Sequence, residues 1–86
     1  MQTLSGRPEI SYPCSWTYRI ICTREEPVRA AVLGIVGGIE HGLRHLGASS
    51  AGNYQRLELV LEVRDEAHRN QIYVALGRVA EVRFVL

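Results

Sequence analysis

The sequence predicts a ferredoxin-like α+β sandwich, a four-stranded antiparallel sheet of order 4-1-3-2 with two helices on one face. Three observations carry this reading. Segments of period two and period 3.6 follow one another as strand, helix, strand, strand, helix, strand. Right-handed crossovers close that order into one sheet with both helices on the same side. The 86 residues, 47% hydrophobic and 22% charged, suffice for one core and no second.

Each element has its own signal. Residues 1–11 place Gly6 and Pro8 among polar residues without a period and read as a flexible leader, leaving 12–86 as the domain. Ser15 to Thr23 alternates, with Trp16, Tyr18, Ile20 and Cys22 on the core side and Thr17, Arg19 and Ile21 on the other. Glu25, Glu26 and Pro27 open a helix, acids at the positive end of its dipole. Val28, Val32, Ile35, Val36 and Ile39 give it an apolar stripe, and the spacing predicts an end near His41 with Gly42 as the stop. Leu43 to Ala48 is a short second strand, Ala51-Gly52-Asn53 a turn, and Tyr54 to Val63 a long strand with Leu57, Leu59, Leu61 and Val63 inward. Asp65 caps a second helix in which Ile72, Leu76 and Val79 share a face, with Tyr73 at its edge. In the last strand Val82, Phe84 and Leu86 alternate with Arg83 and Val85, which assigns Phe84 and Leu86 to the core.

Composition excludes several functions. Nine acids against ten bases leave a net charge of +1, far from the basic balance of a protein that reads a phosphate backbone. All ten bases are Arg, so Schiff-base and P-loop lysine chemistry is absent. No apolar run is long enough to span a bilayer and no signal peptide is evident, so a cytoplasmic protein without membrane contact is expected. Cys14 and Cys22 would lie roughly 26 Å apart along a strand, against the ~7 Å a disulfide needs, so free thiols are expected.

Four pieces in order, Tyr12-Pro13-Cys14-Ser15-Trp16-Thr17-Tyr18-Arg19-Ile20-Ile21, Ser49-Ser50-Ala51-Gly52-Asn53-Tyr54, Ile72-Tyr73 and Val82-Arg83-Phe84-Val85-Leu86, resemble the YbeD-like family of small bacterial proteins of unknown function. The resemblance covers Tyr12 to Leu86. It implies a fold similar to the ACT-like regulatory domains, and so a non-catalytic role in binding a protein partner or small effector. The sequence departs from the family at Ala51, where members usually carry Lys, and at Arg56, Glu58 and Glu62, on a face often rich in Ser and Thr.

Each candidate site has a plainer reading beside the functional one. Ser49, Ser50, Gly52, Asn53 and Tyr54 offer backbone amides to an anion or make an ordinary hairpin, which is the favoured reading. Arg19 and Arg83 sit on the open sheet face as a partner surface or as solvated charges in cross-strand pairs. Ala30, Gly34 and Gly38 line up at i, i+4 on the first helix and mark close approach of a partner or tolerated drift, which leaves a monomer or a weak dimer. His41 and His45 have metal-ligand spacing only on a continuous helix, and with His68 they are expected to be surface residues. Cys14 lacks a base in sequence and Cys22 faces the core, so no catalytic residue, metal or cofactor is expected. The main alternative is a nucleic-acid-binding sheet face. Against it stand Glu58 and Glu62 mid-sheet and the lack of stacking aromatics other than Tyr54. An acylphosphatase-like phosphate cradle fails because Glu25 and Glu26 occupy its place.

Overall fold

The computed structural model describes residues 10–86. The expected leader lies mostly outside these residues; Ile10 and Ser11, its last two, have no regular structure. The elements are β1 (Cys14–Cys22), α1 (Glu25–Val36), β2 (His41–Ala48), β3 (Gln55–Val63), α2 (Glu66–Gly77) and β4 (Val82–Val85). They form one four-stranded sheet of order β2-β3-β1-β4 with every pair antiparallel. The expected topology is observed.

Register follows from the apolar alternation. Trp16, Tyr18 and Ile20 on β1 stand opposite Leu61, Leu59 and Leu57 on β3, so slipping either strand by one residue would turn its core set to solvent. Those side chains, with Cys22 and Val63, merge with Val28, Val32 and Val36 of α1 and Ile72 and Leu76 of α2 into one core cluster. A single cluster places both helices on the Trp16 face. The Tyr18 hydroxyl, buried there, donates to the Arg69 carbonyl at 2.7 Å, meeting the requirement that a buried polar group be bonded.

Several boundaries differ from expectation. The first helix stops at Val36, five residues before His41. Gly37 takes φ 65°, and its N–H returns to the Leu33 carbonyl at 3.1 Å. This glycine adopts the conformation that other residues resist, and the helix ends there. His41 and Gly42 are then already in β2, where Gly42 pairs with Val60. Tyr54 precedes β3, its carbonyl accepting from the Ser49 N–H at 2.9 Å. Val79 lies just past α2 yet still packs half-buried on the core.

The largest correction concerns β4. Its pairing with β1 slips between Ile21 and Cys22, so Val82 meets Cys22, Phe84 meets Ile21 and Val85 meets Ile20. A bulge at Arg83 inserts one residue into the alternation, and beyond it every side chain changes face. Val82 and Val85 therefore point to the helices. Phe84 and Leu86, both expected in the core, stand on the opposite face at 64% and 74% exposure.

The start of α2 shows a second correction. The Asp65 side chain accepts from the His68 N–H at 2.7 Å, the expected cap. The His68 ring, expected at the surface, is buried, and its Nδ1 accepts from the Arg64 N–H at 3.0 Å. It serves as a structural acceptor that closes the β3–α2 corner.

Candidate functional site

Both helices cover one face of the sheet, and among the described residues nothing covers the other. Cross-strand register assembles its surface in rows. At its centre Glu58 of β3 stands between Arg19 of β1 and Arg44 of β2. Its carboxylate accepts from Arg44 Nε at 2.8 Å and from Arg19 Nε at 3.2 Å. The Arg44 hydrogen bond is the main cause that holds the Glu58 carboxyl below its ordinary range, with Arg19 adding to it. One carboxylate shared by two guanidiniums leaves the row cationic. In the next row the Arg56 guanidinium lies over Gly47 of β2, where an added Cβ would come within 3.2 Å of Nη2. Glu62, opposite Ser15, completes the charges of β3 on this face.

Beside these charges lies an apolar strip that sequence reasoning missed. Ile21 and Phe84 are cross-strand neighbours, and Leu86 exchanges both backbone hydrogen bonds with Arg19. Phe84 and Leu86 are 64% and 74% exposed. Arg83, an expected surface residue, is exposed at the same edge and folds back to donate to the Ala80 carbonyl at 2.9 Å. A shallow depression of about 400 Å³ beside Phe84 is walled by Tyr73, Val74, Arg78 and Arg83.

A second group forms where β4 falls short of β1. The Arg69 guanidinium of α2 stacks 4.6 Å from the Trp16 ring centroid and donates to the Tyr12 hydroxyl at 3.0 Å. Trp16 and Arg69 line, with Tyr18, Asn70, Tyr73 and Leu86, an open, mainly apolar depression of about 350 Å³. Burial pushes the Tyr18 hydroxyl up to about 12, offset in part by the charge of Arg69.

The remaining expected residues do not converge. Ser49 to Tyr54 form the hairpin. Gly52 N–H donates to the Ser49 carbonyl at 2.8 Å and Tyr54 N–H to Ser49 Oγ at 3.3 Å, so these amides are used within the turn. Gly52 takes φ 75°, and Ser50 and Asn53 are exposed beside it. Ala30 and Gly34 lie on the exposed side of α1, but Gly38 lies beyond its end, so the expected stripe of three is not a helix face. His41 and His45 both belong to β2, where four residues span roughly 13 Å, too far to share a metal. Among the described residues no three His, Cys, Asp or Glu gather as a metal site. Cys14 and Cys22 are free thiols at opposite ends of β1, and burial pushes the Cys22 thiol up, away from reactivity. No helix among the described residues is long and apolar enough to cross a membrane.

The order of strands, the paired helices on one face and the uncovered opposite face define an α+β protein with the ACT-type version of the ferredoxin-like fold. An ACT domain from a GTP pyrophosphokinase of Chlorobium tepidum superposes with a TM-score of 0.60 at 15% identity, over 84% of this chain and 94% of that domain. The chain belongs to the family described as protein of unknown function DUF493, the YbeD-like family, whose pattern matches residues 7–86. A Helicobacter pylori protein solved in solution is similar over its whole fold, with a TM-score of 0.83 and 25% identity, covering 100% of this chain and 94% of that one. An uncharacterized protein of Campylobacter jejuni is 33% identical over 96% of this chain and 93% of its own length.

Proposed function

We propose that this protein is a non-catalytic regulatory domain that acts by binding, with a protein as its first partner and a small effector as the second reading. The observation that carries the proposal is the open sheet face. There Ile21, Phe84 and Leu86 expose apolar surface beside the cationic row of Arg19 and Arg44. Exposed aromatic and aliphatic side chains rimmed by arginine are the composition of protein-binding surfaces. The likeness to an ACT domain supports a regulatory role by fold alone. A small effector is favoured by the depression between Tyr73, Arg78 and Phe84. Nucleic acid gains one aromatic from the position of Phe84, but Glu58 and Glu62 still stand among the arginines, and Tyr54, the other aromatic expected on this face, lies before β3 at the hairpin.

The test is recovery of the tagged full chain from its own cells with quantitative mass spectrometry, comparing wild type, Phe84→Asp and Leu33→Asp. Leu33 on α1 is 63% exposed and serves as a matched control. Loss of a defined partner with Phe84→Asp but not with Leu33→Asp supports the proposal. Equal recovery in all three contradicts it.

A further inference from the structure

The bulge that turns Phe84 to the open face also thins the helix side of β4, where only Val82 and Val85 join the core. α2 packs against this strand, and its last residue there, Gly77, brings no side chain. An added Cβ at Gly77 would meet nothing within 4 Å. The space left between helix and strand is the hollow of about 400 Å³. Tyr73 and Val74 wall it from α2, and the two valines from β4. Arg78, just past α2, and Arg83 of β4 bring guanidiniums from two elements, and no carboxylate lines the hollow. Arg83 Nη1 donates to the Ala80 carbonyl at 2.9 Å, which steadies the guanidinium and leaves the rest of its fork for another acceptor. Arg78 makes no ion pair among the described residues. Leu86 is not part of the wall, so residues 73–85 alone shape the hollow.

We propose that this hollow binds a small anion with a flat apolar body, an aromatic carboxylate or an aromatic phosphate ester. The proposal rests on the small-effector reading of the chain as a binding domain and names the effector's class. Charge selects the head group. Two guanidiniums with no acid beside them favour an oxyanion, which each fork can meet with paired N–H donors. Shape selects the body. The Tyr73 ring and the valines offer an apolar wall against which an aromatic ring buries its face. The volume falls within the roughly 300–1,000 Å³ of small-molecule sites. A free amino acid is disfavoured by the same charges, since its ammonium would find no carboxylate and would stand beside two guanidiniums. An acidic segment of a protein would meet the same arginines. The hollow favours the small molecule, because it is recessed behind α2 and β4, whereas Phe84 and Leu86 offer a protein the protruding surface.

The experiment is a titration of the full chain followed through its backbone amides by NMR. Phenylpropionate and phenyl phosphate present the two head groups, and phenylpropanamide, free phenylalanine and inorganic phosphate are the matched probes. One or both aromatic anions should give saturable shifts at Gly77, Arg78 and Arg83, with a dissociation constant of about 1 mM, the strength expected of so small a ligand. Their ratio assigns the head group. The neutral amide, the amino acid and inorganic phosphate should each bind at least about tenfold more weakly, lacking respectively the charge, the tolerated charge balance and the ring. Arg78→Gln, at an exposed residue past the helix, should weaken both aromatic anions about tenfold with no change in thermal unfolding. Gly77→Leu should abolish the shifts by filling the hollow, and it should fold normally because its Cβ has room and leucine is a good helix former. Equal binding of the amide, shifts centred on Arg19, Arg44 and Arg56 instead, or no saturation below about 10 mM would overturn the proposal. A polyglutamate peptide that shifts Gly77 and Arg83 more strongly than the aromatic anions would overturn it in favour of a protein at this site. The proposed function is judged separately, because Gly77→Leu keeps Phe84 and the open face: a partner lost with Phe84→Asp but recovered with Gly77→Leu upholds that reading even if no anion binds.

Discussion

Phe84→Ala separates the observed register of β4 from the simple alternation of its sequence. If Phe84 lay in the core, truncation would cost about 3 to 5 kcal/mol, a large share of the stability of a small domain. In the structure it is 64% exposed and leans on Ile21, so about a third of its surface is covered. Full burial of a phenylalanine is worth ~1.5–3 kcal/mol, and a third of that is about 0.5–1 kcal/mol. Val82 is the internal comparison: it is 8% exposed against the core, and Val82→Ala removes two methyl groups at ~0.8 kcal/mol each and leaves a small cavity, for about 2 kcal/mol. Urea unfolding of wild type and both variants, followed by tryptophan fluorescence, reads the difference directly. The smaller side chain should cost more than the larger one. A loss of 3 kcal/mol or more for Phe84→Ala (~3–5 for a core Phe) would refute the bulge at Arg83 and return Phe84 to the core.

Three further outcomes follow from particular contacts. Gly34→Ala should stabilise the domain by about 1 kcal/mol, because an added Cβ meets nothing within 4 Å and alanine is the better helix former, whereas Gly37→Ala at φ 65° should cost about 1–3 kcal/mol; thermal unfolding reads both signs. Tyr18 should ionise near pH 12 in an ultraviolet titration; since its folded value is raised, its contribution to stability is complete below its ordinary value of 10 and is lost as pH rises through about 12, and Tyr18→Phe should remove that step. The depressed carboxyl of Glu58 acts in the opposite sense, stabilising above its ordinary value and losing that contribution as pH falls through the lower folded value, so Glu58→Gln should flatten the acid limb of a stability-against-pH curve.

The sheet was legible because its two central strands alternate without interruption over their full lengths. Leu57, Leu59 and Leu61 face Ile20, Tyr18 and Trp16 only in one arrangement, and these positions, with Cys22 and Val63, lie on the face where the pattern put them. Asp65 was legible as a cap because an aspartate before an apolar-periodic segment has a specific local use. The end of α1 was harder to read. Ile39 continues the apolar stripe, and only the backbone geometry shows that Gly37 rather than Gly42 turns the chain. Bulges are a further limit, because the residue inserted at Arg83 leaves no mark in composition yet reverses the face of everything after it. That single slip moved Phe84 from the expected core to the open face and so hid the apolar strip. The Trp16–Arg69–Tyr12 group was hidden for another reason, since it depends on where α2 crosses β1 in space.

The most direct test of the claim that the open sheet face is a binding surface is photocrosslinking in living cells, with a benzophenone amino acid replacing Phe84 in one strain and Leu33 in another. The account predicts a discrete crosslinked protein from position 84 and none from position 33, although the two side chains are exposed to nearly the same extent, 64% and 63%. The same products from both positions, or products from position 33 alone, would contradict it.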